Sequence, residues 1–432
     1  MRRKILFVLS LLALISCSEH EETGNSGDNA TVISEVEIPK GKSATSLDDF
    51  VELSSSVDDL SQTDADAINN SIEIIRRTYL ANIVKITIKY PSIDASGKPI
   101  MLSGCIFYNK KAKSFNEIVL YAHQTTFDDS GVPSGWGYGT IEPNVLSQNT
   151  ETIIFASDYV GFGITKDKIH PYMNQDLAAR NQIDMLKAGL TFMKSSNDKP
   201  HIISAAEGLK TYIVGYSQGG AVALATHRAL EADKTLCQDV NFKGSYCGAG
   251  PFDLETTYDL FKSQKIMILP ALLPYVLMGM YESYPDYFRG MDINDYLSDK
   301  AIRSNAIGYL ERKPMTQDVM VWFPLQEMFN LESVMSEEAM DESSALWQTF
   351  AHCMQKQNLI DGSWTPKHKV VLYHSSGDDI VSYENSVKAY HLWKESGNCF
   401  ITGPKLKLGH VAAYATYMLT IVDGKYRVDV EY

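Results

Sequence analysis

Residues 211–227 read TYIVGYSQGGAVALATH. The opening TYIV is apolar and β-favouring, whereas small, helix-favouring residues take over from Gln218 onward. Ser217 stands at the corner between them, in the pattern Gly215-Tyr216-Ser217-Gln218-Gly219. By itself G-x-S-x-G is a weak signal. A strand before it and a helix after it are what a nucleophile elbow requires. The flanking glycines let the chain turn sharply without a Cβ clash, and Gly219, Gly220, Ala221 and Ala223 let the helix lie close to a sheet. The plainer reading, a glycine-rich turn with a solvated serine, accounts for less of this context.

A serine hydroxyl needs a base to take its proton, and the base needs an orienting acid. In a strand–elbow–helix architecture the acid and the histidine follow the serine in chain order. The segment VVLYHSSGDDIVSYENS places Asp378 and Asp379 just past an apolar run, and KLKLGHVAAYATY places His410 near the end of the chain. All three then project from one edge of the sheet, where open α/β sheets hold their sites. Asp253, in GAGPFDL, is the competing acid, because it follows the preceding strand. Of the ten histidines, His123 and His374 read as satisfied structural residues and His227 and His391 as surface positions on helices. Only His410 has the required place. Two backbone N–H groups must receive the oxyanion, one from Gln218 and one from the loop after the third strand, where Gln124 stands.

Outward from the elbow, residues 82–90 and 100–108 are β-rich and joined by the turn sequence PSIDASGKP. The runs 117–123 and 152–158 are short, apolar and of the fully buried kind. Helical spacing marks 174–195 and 218–232, and further strands are expected at 242–247, 368–374 and about 405–408. Strands alternating with helices imply a mostly parallel sheet flanked on both faces. The stretch 251–360 is too long for a loop and is rich in Met and aromatics. With Pro270 and Pro274 inside its most apolar part, it reads as a helical cap and not as a membrane span.

At this point the chain resembles the α/β-hydrolase superfamily and, within it, the secretory-lipase and related bacterial esterase branch. YAHQTT at 121–126 is similar to that branch's oxyanion loop, SDYVGFG at 157–163 to its DYxGxG segment, and HPY…ARNQIDMLKA to the helix that follows. The likeness runs from about residue 80 to 415. It implies a Ser217–Asp378–His410 triad, with Asp378 in the acid position of G-x-x-D-x-x-V and Asp379 as its polar neighbour. Two positions depart from the pattern: Ser382 where Val-Pro is common, and Gln124 where the histidine is usually followed by glycine. Asp158, in the DYVGFG turn, is read as a loop-shaping residue and not as a metal ligand.

The chain begins with basic Arg2, Arg3 and Lys4, then an apolar run, Ile5–Ile15, too short to span a bilayer. It ends in Leu14-Ile15-Ser16-Cys17, which resembles a bacterial lipobox with Cys17 as the lipidated residue. Residues 1–16 are therefore expected to be a signal, and 17–45, polar and acidic, a disordered tether. The core is expected at 46–250 and 361–432, interrupted by the cap at 251–360. The acidic start after the cysteine is similar to that of surface lipoproteins of Gram-negative bacteria, which implies a lipid-anchored protein of the outer membrane or cell surface.

A net charge of −14 argues against a nucleic-acid partner, whose binding rests on Lys and Arg contacts to phosphate. With Cys17 lipidated, five cysteines remain, an odd number with no metal-type spacing. No phosphate loop, dinucleotide fingerprint, HExxH or EF-hand pattern appears, so neither cofactor nor metal is expected. The leading expectation is a serine hydrolase of short to medium acyl esters, its partner a small-molecule or lipid ester. An esterase of acetyl or feruloyl groups on polysaccharide, a serine peptidase or acyltransferase on the same fold, and a catalytically silent surface lipoprotein are the alternatives.

Overall fold

The computed structural model describes residues 30–38, 82–137 and 140–429. The expected signal, Cys17, most of the tether and the first part of the core (46–81) lie outside them. Nine strands form one sheet: β1 Thr31–Ile38, β2 Ile83–Ile93, β3 Pro99–Asn109, β4 Glu117–Ala122, β5 Thr152–Ser157, β6 Lys210–Tyr216, β7 Phe242–Gly248, β8 Lys369–Tyr373 and β9 Cys399–Thr402. Their spatial order is β1-β2-β3-β5-β4-β6-β7-β8-β9. Antiparallel pairing joins β1, β2, β3 and β5; every pair from β5 onward is parallel. The mostly parallel sheet of the α/β-hydrolase fold is thus present.

The central strands are apolar throughout because both faces are covered. Alternate residues go to opposite layers, as a period of two demands. On β4, Ile118, Leu120 and Ala122 join the core beneath helices α2 (Gln175–Ser195) and α3 (Gln218–Ala232), whereas Val119 and Tyr121 join the opposite layer. That second layer is closed by Val145 and Leu146 from the short helix α1 (Ile141–Leu146) and by Tyr417, Met418 and Ile421 from the C-terminal helix α9 (His410–Val422). The five cysteines in the described residues are all buried and unpaired.

Two sequence expectations are corrected. Residues 31–38 fall in the stretch expected to be a tether, yet they pair with β2 as an edge strand. TVISEVEI alternates, but Val32 and Val36 stay exposed, so backbone pairing, not burial, holds it, with Lys199 and Lys110 on Glu35 and Glu37. The last strand lies at Cys399–Thr402 and not at 405–408. Gly403-Pro404 ends that ladder, since proline cannot donate to it, and KLKL runs on as loop toward His410.

Between β7 and β8 lies a helical insertion that includes α4 (Leu254–Ser263), α5 (Leu272–Ser283), α6 (Thr316–Leu325) and α7 (Ala345–Lys356), and α8 (Glu384–Trp393) follows β8. Pro274 sits in the first turn of α5, where its missing N–H costs no helical bond. No described helix is long and apolar enough to cross a membrane. The insertion has its own apolar cluster, built from Tyr258, Leu277, Met280, Tyr296, Phe323 and Phe350 among others. That cluster also takes in Phe127, Tyr172, Met173, Ile380 and Val381 from loops of the sheet core.

Candidate active site

Ser217 stands between β6 and α3 with φ 60° and ψ −126°, a backbone conformation that a residue with a side chain seldom adopts. The strain sits on the serine and not on the glycines beside it. Those are needed for close approach: a Cβ on Gly219 would stand 2.1 Å from the Ala122 carbonyl oxygen, and one on Gly215 2.1 Å from that of Gly219. The Ser217 N–H donates to the Gly248 carbonyl at 2.8 Å, tying the corner to the end of β7. The serine is left partly open while its neighbours are buried.

His410 opens α9 and is gripped by its own backbone. Its N–H donates to Asp379 Oδ1 at 2.9 Å, and the Tyr216 hydroxyl donates to its carbonyl at 2.7 Å. The ring then lies with Nε2 2.9 Å from Ser217 Oγ and Nδ1 2.6 Å from Asp378 Oδ2. Asp378 is 8% exposed. Its other oxygen, Oδ1, accepts the N–H groups of Ile380 and Val381 at 3.0 and 2.8 Å. Burial pushes its carboxyl upward, but the charge of His410 and hydrogen bonds from His374 and His410 outweigh that and hold it well below the usual carboxylate range. The competing acid, Asp253, is elsewhere engaged. It caps α4 through Glu255 N and accepts from Thr256 and, at 3.4 Å, from Lys388.

His374, read from sequence as structural, touches the acid. Its Nε2 lies 3.2 Å from Asp378 Oδ2 and from the Val381 carbonyl, and its Nδ1 is 2.8 Å from Ser386 Oγ. Two acceptors at Nε2 place the proton there, so Ser386 donates to Nδ1. Chain order singles out one histidine and gives no hint of this second one; its place at the end of β8 is the only signal.

On the other side of the serine, Gln218 is the first residue of α3, so its backbone N–H has no acceptor within the helix. Its side-chain amide donates to His170 Nε2 at 3.0 Å, and His170 Nδ1–H donates to the Val160 carbonyl at 2.7 Å. Burial pushes the His170 ring down to about 3, so it stays neutral and can accept. Sequence reasoning passed over His170, although it opens the HPY segment. The side chain of Gln124 points away from any oxyanion role: it donates to Glu142 Oε1 at 2.9 Å and accepts from the Tyr121 hydroxyl at 3.2 Å. His123 braces the same loop by donating from Nδ1 to the Gln124 carbonyl at 2.8 Å and stacking on Tyr159. Buried, it is pushed down to about 4. Asp158 accepts from Ser103 Oγ and the Ser134 N–H at 2.5 and 2.8 Å, the loop-shaping position expected of it.

The insertion is fastened to both sides of this arrangement. Tyr275 of α5 donates to the Thr126 carbonyl at 3.1 Å, Thr316 N–H to Asp128 Oδ2 at 3.0 Å, and Gln264 Nε2 to the Asp379 carbonyl at 2.8 Å. One group of metal-type donors occurs among the described residues: His227, Glu231 and His368. His227 is fully buried and not on the surface as its helical setting suggested. It lies ten residues along α3 from Ser217, about 15 Å at the helical rise.

The model of the secretory lipase family matches residues 152–420, more than half of the chain, from β5 to near the end of α9. The chain belongs to that family. This secretory lipase is a carboxylic ester hydrolase, and Ser217, Asp378 and His410 all fall inside the matched range. Among solved structures it is similar in fold to a proposed hydrolase of Legionella pneumophila subsp. pneumophila, at 17% identity and TM-score 0.69 over 93% of this chain and 99% of that one. It is similar also to the rice cell wall degrading esterase LipA of Xanthomonas oryzae (17%, TM-score 0.64, 92% and 96%) and to Candida antarctica lipase A (15%, 0.55, 91% and 82%). No curated protein sequence matches this lipase.

Proposed function

We propose that Ser217 is the nucleophile of this ester hydrolase, with His410 as general base and Asp378 as the orienting acid. The support is the continuous hydrogen-bond chain from Ser217 Oγ through His410 to Asp378, at 2.9 and 2.6 Å. In the first step the hydroxyl proton passes to His410 Nε2 as Oγ attacks the ester carbonyl. The oxyanion is received by the backbone N–H groups of Gln218 and Gln124. Collapse expels the alcohol, which takes the proton from Nε2 and leaves an acyl group on Ser217. Water repeats the sequence in reverse, its proton going to Nε2 and the acid departing. Asp378 remains ionised throughout and holds the ring with Nδ1–H toward itself.

The acyl group is proposed to lie beneath the insertion, which then acts as a cap. What supports this is the continuity of its apolar cluster with Phe127 on one side of Ser217 and Ile380 and Val381 on the other. Each buried CH₂ adds about 0.8 kcal/mol, so kcat/KM should climb from p-nitrophenyl acetate through butyrate toward octanoate. A strong preference for acetate, or for acetylated or feruloylated sugars, overturns the apolar pocket and favours an esterase of polysaccharide side chains, a reading in keeping with the Xanthomonas neighbour's name as a rice cell wall degrading esterase. Export and a lipid on Cys17 complete the proposal. Replacing Cys17 with Ala should release the protein in soluble form, and a wild-type chain already free of the membrane contradicts it.

A further inference from the structure

At the edge of the sheet opposite Ser217, three donors converge that the ester chemistry does not use. His227 and Glu231 stand one helical turn apart on α3, and His368 lies just before β8, where the chain returns from the insertion. Their ligating atoms all lie within 4.8 Å of one another. His227 Nε2 is 3.0 Å and His368 Nδ1 2.8 Å from the same oxygen, Glu231 Oε1. We propose that these three side chains form a binding site for one Zn²⁺ ion, closing the return of the insertion onto α3.

Three observations carry this. The first is crowding. Glu231 Oε1 also receives the N–H groups of Lys367 and His368 at 2.8 and 2.7 Å, so four nitrogens surround an oxygen with two lone pairs. Two donors too many therefore crowd Oε1. An ion between carboxylate and imidazoles gives the two ring nitrogens a partner of their own.

The second is the support around the donors. His227 Nδ1 faces Ser245 Oγ at 2.8 Å, and Glu231 Oε2 accepts from Trp364 Nε1 at 3.1 Å. Metal-ligating imidazoles and carboxylates are held by such outer partners. Zinc takes the tautomers in which the proton of His227 sits on Nδ1, toward Ser245, and that of His368 on Nε2, so that Nε2 of the former and Nδ1 of the latter turn from donors to Glu231 into ligands.

The third is fit and access. Zinc bonds of about 2.0–2.1 Å in a tetrahedron put neighbouring donors about 3.3 Å apart, so the 2.8 and 3.0 Å pairs open by a few tenths of an ångström while the two ring nitrogens, within 4.8 Å of each other, draw to the same spacing. His227 and Glu231 are closed from solvent, whereas the His368 side chain is 33% exposed and provides an entry and a side from which water can reach a fourth position. Imidazole and carboxylate donors suit zinc better than calcium or magnesium.

The test is zinc content by inductively coupled plasma mass spectrometry, with melting temperature, on the full chain. It is measured as purified, after chelation, and after addition of ZnCl₂. The expected result is close to one zinc per chain, a melting temperature about 5 °C lower after chelation, and recovery with zinc. His368→Ala should lose the ion while ester turnover stays within twofold. Wild type that takes up no zinc and melts at one temperature in all three states overturns the proposal, as does full zinc retention by His368→Ala. Chelation of wild type needs no variant, so poor folding of His368→Ala leaves the answer intact.

Discussion

Two carboxylates in this sheet are each held between two histidines. At the edge beyond β6, Asp378 lies between His410 and His374. At the opposite edge, Glu231 lies between His227 and His368. Their residue types barely differ, yet only the first has the proposed nucleophile. There a serine held at φ 60° stands partly open beside the imidazole, with a helix N-terminus next to it. Around Glu231 every neighbour is a donor locked onto the carboxylate, and two of them are backbone N–H groups. A histidine–carboxylate pair is therefore no evidence of catalysis by itself. What the proposed catalytic pair has in addition is the strained, accessible hydroxyl at its free nitrogen.

Mutation separates the two edges. Ser217→Ala should lower kcat for ester hydrolysis by up to about 10⁶, and Asp378→Asn by about 10⁴, since the amide cannot hold the required tautomer. Both enzymes should bind substrate nearly as before. Residual turnover within tenfold of wild type in either case removes that residue from the mechanism, and a larger loss from Asp253→Asn moves the acid to the other loop. Glu231→Gln should do the reverse. Breaking the buried network costs about 3 kcal/mol of stability, read from urea denaturation, while kcat stays within twofold.

A smaller effect comes from pH. His123 and His170 are pushed by burial down to about 4 and about 3. The unfolded chain takes up protons near pH 6.5 that the folded one refuses, so stability is full above 6.5 and falls as pH drops toward 4. Each histidine contributes up to about 2 kcal/mol of that loss between pH 6.5 and 5. Asp378 has the opposite chemistry but the same sign: its carboxyl is held low, so its contribution persists until pH falls below the ordinary carboxylate range. The slope between pH 6.5 and 5 thus belongs to buried histidines: His123 and His170 beside the proposed oxyanion loop, and His227, which burial also pushes down. Replacing His170 by Gln should flatten it, and an unchanged slope removes His170 as a cause.

Much of the first edge was legible in the sequence because its information is local or ordered. A strand, a tight corner with glycines and a helix are contiguous at 211–232, and the acid and histidine follow in fixed order after β8 and before α9. The helix 218–232 begins and ends where its spacing says. What stayed hidden depends on distant pairing. His374 meets Asp378 only because the loop 374–381 folds back, and His170 meets Gln218 across 48 residues. His227 reads as a surface residue from its helical setting alone, whereas Phe242, Trp364 and His368 wall off its far end. Strand β1 has the alternation of a strand, but its partner begins some fifty residues later and it buries little, so composition pointed to a tether.

The central claim is that Ser217, and no other side chain, is acylated by the substrate. A fluorophosphonate probe reports this directly, because it reacts only with a serine whose proton has a base to go to. Intact-mass and peptide spectrometry of the labelled wild type should show one adduct, on the peptide that carries Ser217, and none after Ser217→Ala or His410→Ala in proteins that melt as wild type does. An adduct on another residue, or labelling that survives Ser217→Ala, contradicts the account.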